Sequence, residues 1–258
     1  MTTDPLAHFR YENLHIPRLR EILATSPIAL IPIGILEWHG NHNAFGMDGN
    51  MAEHLCARVM TQFQRGVLFP VHWVGTYGYV HYEGTVCYDE AVATQYLTQL
   101  LFQVAKVGFK LIFLISGHGG QWQQRAIKTA VQNVLTTLAR PPKTFNILGV
   151  VYPDLAKHIS VTHAGLEETA MLWRIGQLKG VDLVKMDYFS AHPETLPLYP
   201  LHDEAKVPIK EDALWDWSKI FPHPERCSPE LGESLLTHFT EGILEELKEY
   251  CEEMNLIN

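Results

Sequence analysis

At 258 residues with 47% hydrophobic side chains, the chain can bury one large core and stands near the size at which domains begin to split. A formal charge of −9 excludes nucleic acid and anionic membrane as main partners, since both are recognised through basic patches. No apolar run approaches the roughly 20 residues of a spanning helix, Met1-Thr2-Thr3-Asp4-Pro5 lacks the regions of a signal peptide, and Cys56, Cys87, Cys227 and Cys251 form no CxxC pair, so reduced thiols in a soluble cytoplasmic enzyme are expected.

The first predicted element is a buried strand over Ile28–Gly34, an apolar run bounded by the breakers Ser26-Pro27 and by Gly34 itself. Met51, Leu55, Val59 and Met60 recur at helical spacing and predict a helix from Met51 to Phe63. Val67 to Val71 reads as a second short strand. Val92, Tyr96, Leu97, Leu100, Leu101, Val104 and Ala105 form the stripe of an amphipathic helix. Leu111–Ile115 is apolar throughout, as a parallel strand covered on both faces should be. A helix carrying Ala126, Ile127, Ala130, Val131, Val134, Leu135 and Leu138 follows, then a strand over Phe145–Tyr152. Alternating strands and helices predict right-handed βαβ crossovers and a three-layer α/β/α sandwich around a mostly parallel sheet. Residues 187–229, rich in Pro, His and aromatics, read as irregular excursions with one short helix near Ala213 to Ile220. An acidic helix from Gly232 to about Glu253 closes the chain. With no internal repeat or linker, one domain spanning residues 1–258 is expected.

Chemistry concentrates after the strands. Glu37-Trp38-His39-Gly40-Asn41-His42-Asn43-Ala44-Phe45-Gly46-Met47-Asp48 holds two carboxylates and two histidines just past the first strand, where an α/β sheet usually keeps its ligand. Oxygen and imidazole donors together suit Zn²⁺, Mn²⁺ or Fe²⁺. Ser116-Gly117-His118-Gly119-Gly120-Gln121 follows the central strand. It fits a phosphate loop poorly, lacking both G-x-G-x-x-G and a Lys-Ser/Thr pair, and instead projects His118 over the same sheet edge. In Thr162-His163-Ala164-Gly165-Leu166-Glu167-Glu168-Thr169, the glutamates fall in a first helical turn. They serve there either as capping charge or as part of a site.

In this order the three segments resemble the creatininase family of metal-dependent amidohydrolases, whose pattern runs roughly E-x-H-G-x-H-x-x-x-x-x-D, then G-H-G-G-N, then H-A-G-x-x-E-T. Val80-His81-Tyr82-Glu83-Gly84-Thr85 also resembles the family's H-x-x-x-G-T segment, one residue shorter. The likeness spans roughly residues 25 to 175. It implies two divalent ions per chain (Zn, Mn or Fe), with Glu37, His39, Asp48, His118 and Glu168 as ligands and Asp48 shared between the ions. It implies His163 as the proton donor to a leaving nitrogen, and a small-molecule substrate. Gly119, Gly120 and Gln121 are expected beside that substrate, with His42 and His81 lining the pocket.

Departures from the pattern spare every ligand but alter their neighbours: Trp38 stands for a usual Gln, Asn41 for Pro, Asn43-Ala44 for Leu-Pro, Met47 for Thr, Gln121 for Asn and Ala170 for Ser. Creatininases proper resemble G-H-x-E-N at the second motif, where this chain has Gly119-Gly120, so creatinine is a poor fit. The resemblance therefore implies hydrolysis of another cyclic amide or a formamide. C–C hydrolysis of an inosose-type ketone is the alternative, and a catalytically silent metal-binding protein the reading from another class. It also implies a closed homo-oligomer, a hexamer in creatininases proper. Tyr188, Phe189, Leu196, Leu198, Tyr199, Leu201, Trp215, Trp217 and Phe221 form either that interface or a lid.

Overall fold

The computed structural model describes residues 4–80, 82–155, 159–189, 220–221 and 223–256. Its helices are α1 (Ile16–Thr25), α2 (Met47–Phe63), α3 (Glu90–Val107), α4 (Gln121–Leu138), α5 (Leu166–Lys179) and α6 (Pro229–Glu253). Its strands are β1 (Ile28–Gly34), β2 (Val67–Leu68), β3 (His72–Trp73), β4 (Leu111–Ser116) and β5 (Asn146–Val151).

All pairings within the sheet are parallel, in the order β2-β1-β4-β5, with β3 continuing along the β2 edge of β1. The expected strand over Val67 to Val71 is instead two short pieces. Phe69 still donates its N–H to Leu30 O at 2.9 Å, but Pro70 has no N–H to give, and pairing resumes only at His72.

Strand alternation sends side chains to two separate cores. Ile28, Leu30, Leu111, Phe113 and Ile115 meet α2, α5 and α6 on one face. Ala29, Ile31, Ile33, Ile112 and Leu114 meet α1, α3 and α4 on the other. Every residue of β1 and β4 is buried, which explains why both read as unbroken apolar runs rather than alternating ones. The chain leaves β1 toward β2 on one side and later crosses to β4 on the other. The carboxyl ends of β1 and β4 therefore frame a topological switch point, the usual ligand crevice of an open α/β sheet.

Several boundaries differ from expectation. The first long helix begins at Met47, four residues before the apolar stripe, so Asp48 lies in its first turn. The last begins at Pro229, because Ser228 Oγ accepts the Leu231 N–H at 3.2 Å and proline tolerates the first turn. Helix α1, with Ile22 as its one buried residue, was not anticipated. The short helix expected near Ala213 to Ile220 lies outside the described residues except for Ile220.

Candidate metal centre

Two loops and two helix starts converge at the switch point. Glu37 and His39 follow β1, His118 follows β4, Asp48 opens α2 and Glu168 opens α5. Backbones approach very closely here: a Cβ on Gly117 would overlap the Asp48 carbonyl, and one on Gly34 would overlap the Gly49 backbone. These glycines let the β4–α4 loop and the end of β1 press against the first turn of α2.

The five side chains form one buried cluster. Glu37, His39, Asp48, His118 and Glu168 are all at most 6% exposed. Asp48 Oδ1 lies 3.2 Å from His39 Nε2, and its Oδ2 lies 3.4 Å from His118 Nδ1. Glu37 Oε2 is 3.2 Å from the same His118 nitrogen, and Glu168 Oε2 is 3.8 Å from His39 Nε2. The carboxylate of Asp48 thus faces both histidines, one with each oxygen.

The outer atoms of the cluster are tied down. His39 Nδ1 meets the Glu37 carbonyl oxygen at 3.0 Å, so Nδ1 carries a proton and the ring is fixed with Nε2 turned inward. Glu37 Oε1 accepts the Tyr79 N–H at 2.6 Å. Glu168 Oε1 accepts the Tyr152 hydroxyl at 3.1 Å, and its Oε2 accepts the Ala164 N–H at 2.6 Å. Ala164 adopts φ +54, a left-handed conformation costing a non-glycine residue roughly 1 kcal/mol, and thereby aims that N–H at Glu168.

The inner atoms are different. Glu37 Oε2, His39 Nε2 and Asp48 Oδ2 are buried and make no hydrogen bond among the described residues. Nor does any Lys or Arg pair with the three carboxylates there. Burial opposes charge on His39, yet Asp48, Glu168 and Glu37 outweigh it and raise the imidazole to about 10. His118 is likewise opposed by burial but lifted well above its ordinary range by Glu37 and Asp48. Burial pushes Glu168 up to about 7, against the pull of His39. In the metal-free form the two imidazoles, held protonated by these neighbours, offset the buried carboxylates; a divalent ion at the same donors would take over that role, because uncompensated buried charge costs several kcal/mol. Glu37, Asp48 and His118 present ligand atoms within 4.8 Å of one another, as do Glu37, His39 and His163. The donors suit a divalent ion of the Zn²⁺, Mn²⁺ or Fe²⁺ type.

The remaining candidates divide. His163 lies beside the cluster, its ring 4.1 Å from that of His39 and 3.9 Å from that of Tyr79. Its Nε2 meets the Trp38 carbonyl at 2.8 Å, and burial together with His39 holds it neutral, well below the ordinary range. His42 is buried, with Nε2 3.0 Å from Thr169 Oγ1, and so braces α5. Burial lowers it to about 4. Gly119 and Gln121 are exposed at the rim and Gly120 is half-exposed, where a Cβ would come within 2.8 Å of His118 Nε2. His81 lies outside the described residues, as do Leu196, Leu198, Tyr199, Leu201, Trp215 and Trp217. Of the aromatic segment's ends, Tyr188 is exposed, whereas Phe189 and Phe221 turn in against each other and against His42.

Sequence reasoning missed Tyr79 and Tyr152. Tyr152 carried one usable signal, its place just past the end of β5, a strand neighbouring β4. Tyr79 carried none, since its contribution is a backbone N–H. The departures at Trp38 and Asn43 have visible partners: the indole stacks on Tyr82 at 3.9 Å, and Asn43 Nδ2 donates to Thr169 Oγ1 at 3.0 Å.

Fold and cluster together define an α/β-sandwich enzyme with a carboxylate–imidazole centre at its switch point. A family model described as creatinine amidohydrolase matches residues 12–247, and the chain belongs to the creatininase family, an enzyme of the amidohydrolase type. The match runs well beyond the stretch that carries the motifs. The creatinine amidohydrolase of Pseudomonas putida is 23% identical over 253 residues, covering 88% of this chain and 91% of that one. The 3-dehydro-scyllo-inosose hydrolase of Thermotoga maritima is 25% identical over 114 residues, 43% of this chain and 36% of that one. A crystal structure of creatininase superposes with TM-score 0.74 at 20% identity, covering 93% of this chain and 97% of that one. Creatininase structures in a Zn–Zn form and a Mn form share the fold at TM-score 0.72.

Proposed function

We propose that the cluster holds two divalent ions and that the enzyme hydrolyses the C–N bond of a small cyclic amide or formamide. Glu37, Asp48 and His118 would hold one ion and His39, Asp48 and Glu168 the other, with Asp48 shared. The observation carrying this reading is that Glu37, Asp48 and His118 bring ligand atoms within 4.8 Å of one another, while Glu37 Oε2, Asp48 Oδ2 and the neighbouring His39 Nε2 are buried without a hydrogen bond among the described residues. When bound, such ions polarise a carbonyl oxygen and lower the pKa of a coordinated water from about 15.7 to about 7.

The chain's own residues supply the rest. His163, held neutral beside the cluster with Nε2 on the Trp38 carbonyl, is the residue this reading assigns to proton delivery to a departing nitrogen. Gly119, Gly120 and Gln121 leave the rim beside His118 open to substrate, and His42 fixes the floor through Thr169.

The second reading is C–C hydrolysis of an inosose-type cyclic ketone, favoured by the partial likeness to the Thermotoga enzyme. A screen of lactams, formamides and inososes against Zn²⁺- or Mn²⁺-loaded protein decides between them. Turnover of the ketones alone would overturn the amide reading, and absence of bound metal would overturn both. The same proposal has one cytoplasmic domain assembling as a homo-oligomer, with a hexamer favoured. Sedimentation at micromolar concentration tests the assembly, and a clean 29.4 kDa monomer would end it.

A further inference from the structure

We infer that Tyr152 is a positioning residue that controls occupancy of one metal position, the one served by Glu168, and leaves the other untouched. The inference rests on the two-ion reading and goes beyond it by assigning a specific task to a residue outside the ligand set.

Tyr152 directly follows β5, opening a 3-10 turn, and is fully buried, its ring meeting Phe239 of α6 edge-on at 5.1 Å. Its hydroxyl reaches Glu168 Oε1 at 3.1 Å, the oxygen turned away from the cluster. The Ala164 N–H holds the other oxygen, Oε2, which lies 3.8 Å from His39 Nε2. Glu168 therefore has one donor on each oxygen. These fix two points of a planar group and so determine its rotation about the terminal bond. Without the hydroxyl, one point remains and the carboxylate can turn about the Ala164 contact.

No equivalent dependence reaches the other position. Glu37 is fixed by the Tyr79 backbone N–H, and His118 faces Glu37 and Asp48 directly. Tyr152 has no hydrogen bond to Glu37, Asp48 or His118 among the described residues. Removing an outer-shell partner of a metal ligand commonly costs 10–100-fold in affinity. Here that cost should fall on one ion of the two.

The test is Zn²⁺ binding to the full chain, measured by competition with a chromophoric chelator, for wild type, Tyr152→Phe, Glu168→Gln and the double variant. Phe keeps the ring against Phe239, so folding is preserved, and the melting temperature of metal-free protein checks this. Tyr152→Phe should weaken one Zn²⁺ by about 10–100-fold and leave the other within about twofold. Glu168→Gln should weaken the same ion, and the double variant should add little, since both changes act through one carboxylate. Phe239→Leu, which disturbs the ring's packing but keeps the hydroxyl, should leave both affinities as in wild type. Equal weakening of both ions, no weakening, additive losses, or a Phe239→Leu variant that mimics Tyr152→Phe would each overturn the assignment. Wild-type protein that binds no Zn²⁺ would instead refute the two-ion reading, and this inference with it.

Discussion

Gly78 lies outside every recognisable motif, yet substituting it should disable the centre. A Cβ built there would overlap Glu37 Oε1 and Cδ and would stand 3.1 Å from Oε2. Its backbone does not require glycine, since Gly78 is absent from the residues with positive φ. The effect of Gly78→Ala therefore falls first on Glu37, which supplies the three atoms nearest that Cβ. Carbon and oxygen atoms that overlap must separate to about 3.5 Å, so the carboxylate has to shift by roughly 1 Å or more. The Tyr79 N–H, 2.6 Å from Oε1 on the same strip of chain, resists that shift. Metal bonds tolerate about 0.2 Å, and a displacement near 1 Å typically costs about 10²-fold in rate, or about 2.7 kcal/mol. We expect Gly78→Ala to retain the fold, to lose at least half of its bound Zn²⁺ on gel filtration and to lose about 10²-fold in kcat/KM on whatever substrate the screen identifies. Elemental analysis and steady-state kinetics measure both. A variant with full metal content and wild-type kcat/KM would show that Glu37 is not a ligand and that the cluster has been misread.

Three further outcomes are expected. Asp48→Ala should strip more metal than Glu37→Ala or Glu168→Ala, because its two oxygens face two different histidines; equal losses in elemental analysis would refute a shared ligand. His163→Ala should keep near-normal metal and lose roughly 10²–10⁴-fold in turnover, whereas loss of metal would make it a ligand, as its nearness to Glu37 and His39 permits. His54 is lowered to about 4 by burial and by Arg58 and Lys179, so it folds neutral: its contribution is present above pH 6.5 and is lost as pH falls toward 4. At pH 5 the loss is about 1–2 kcal/mol, being about 1.5 units at 1.36 kcal/mol each, reduced for partial exposure. Denaturant titrations of wild type and His54→Gln at pH 7 and pH 5 should differ by that amount, and identical pH dependence would refute it.

The sequence displayed the inner parts of this molecule better than the outer ones. β1 and β4 were legible because burial on both faces leaves only apolar residues in a row. Asp48 was legible as a donor but not as a helical residue, since Asp48, Gly49 and Asn50 interrupt the apolar spacing that reveals a helix. It sits at the start of α2 because of the close approach of Gly34 and Gly117, which is a tertiary fact. Likewise no local pattern announces that Tyr152 will meet Glu168 or that the Tyr79 N–H will meet Glu37. Those contacts join residues 16 and 42 positions apart, and they exist only once the sheet has assembled.

The interruption at Pro70 also bears on how the sheet ends on the β2 side. An open parallel sheet ends in a strand with unsatisfied N–H and C=O groups, a template on which another copy could grow. Here that border is two fragments of two residues each, β2 and β3, with the proline between them. Neither fragment offers a run long enough for a second chain to register against. Parallel sheets assemble slowly, and their strands are exposed meanwhile. A border this short, partly covered where Leu68 donates to Phe9 O, gives a second chain little to pair with on that side; the opposite border is the six-residue β5.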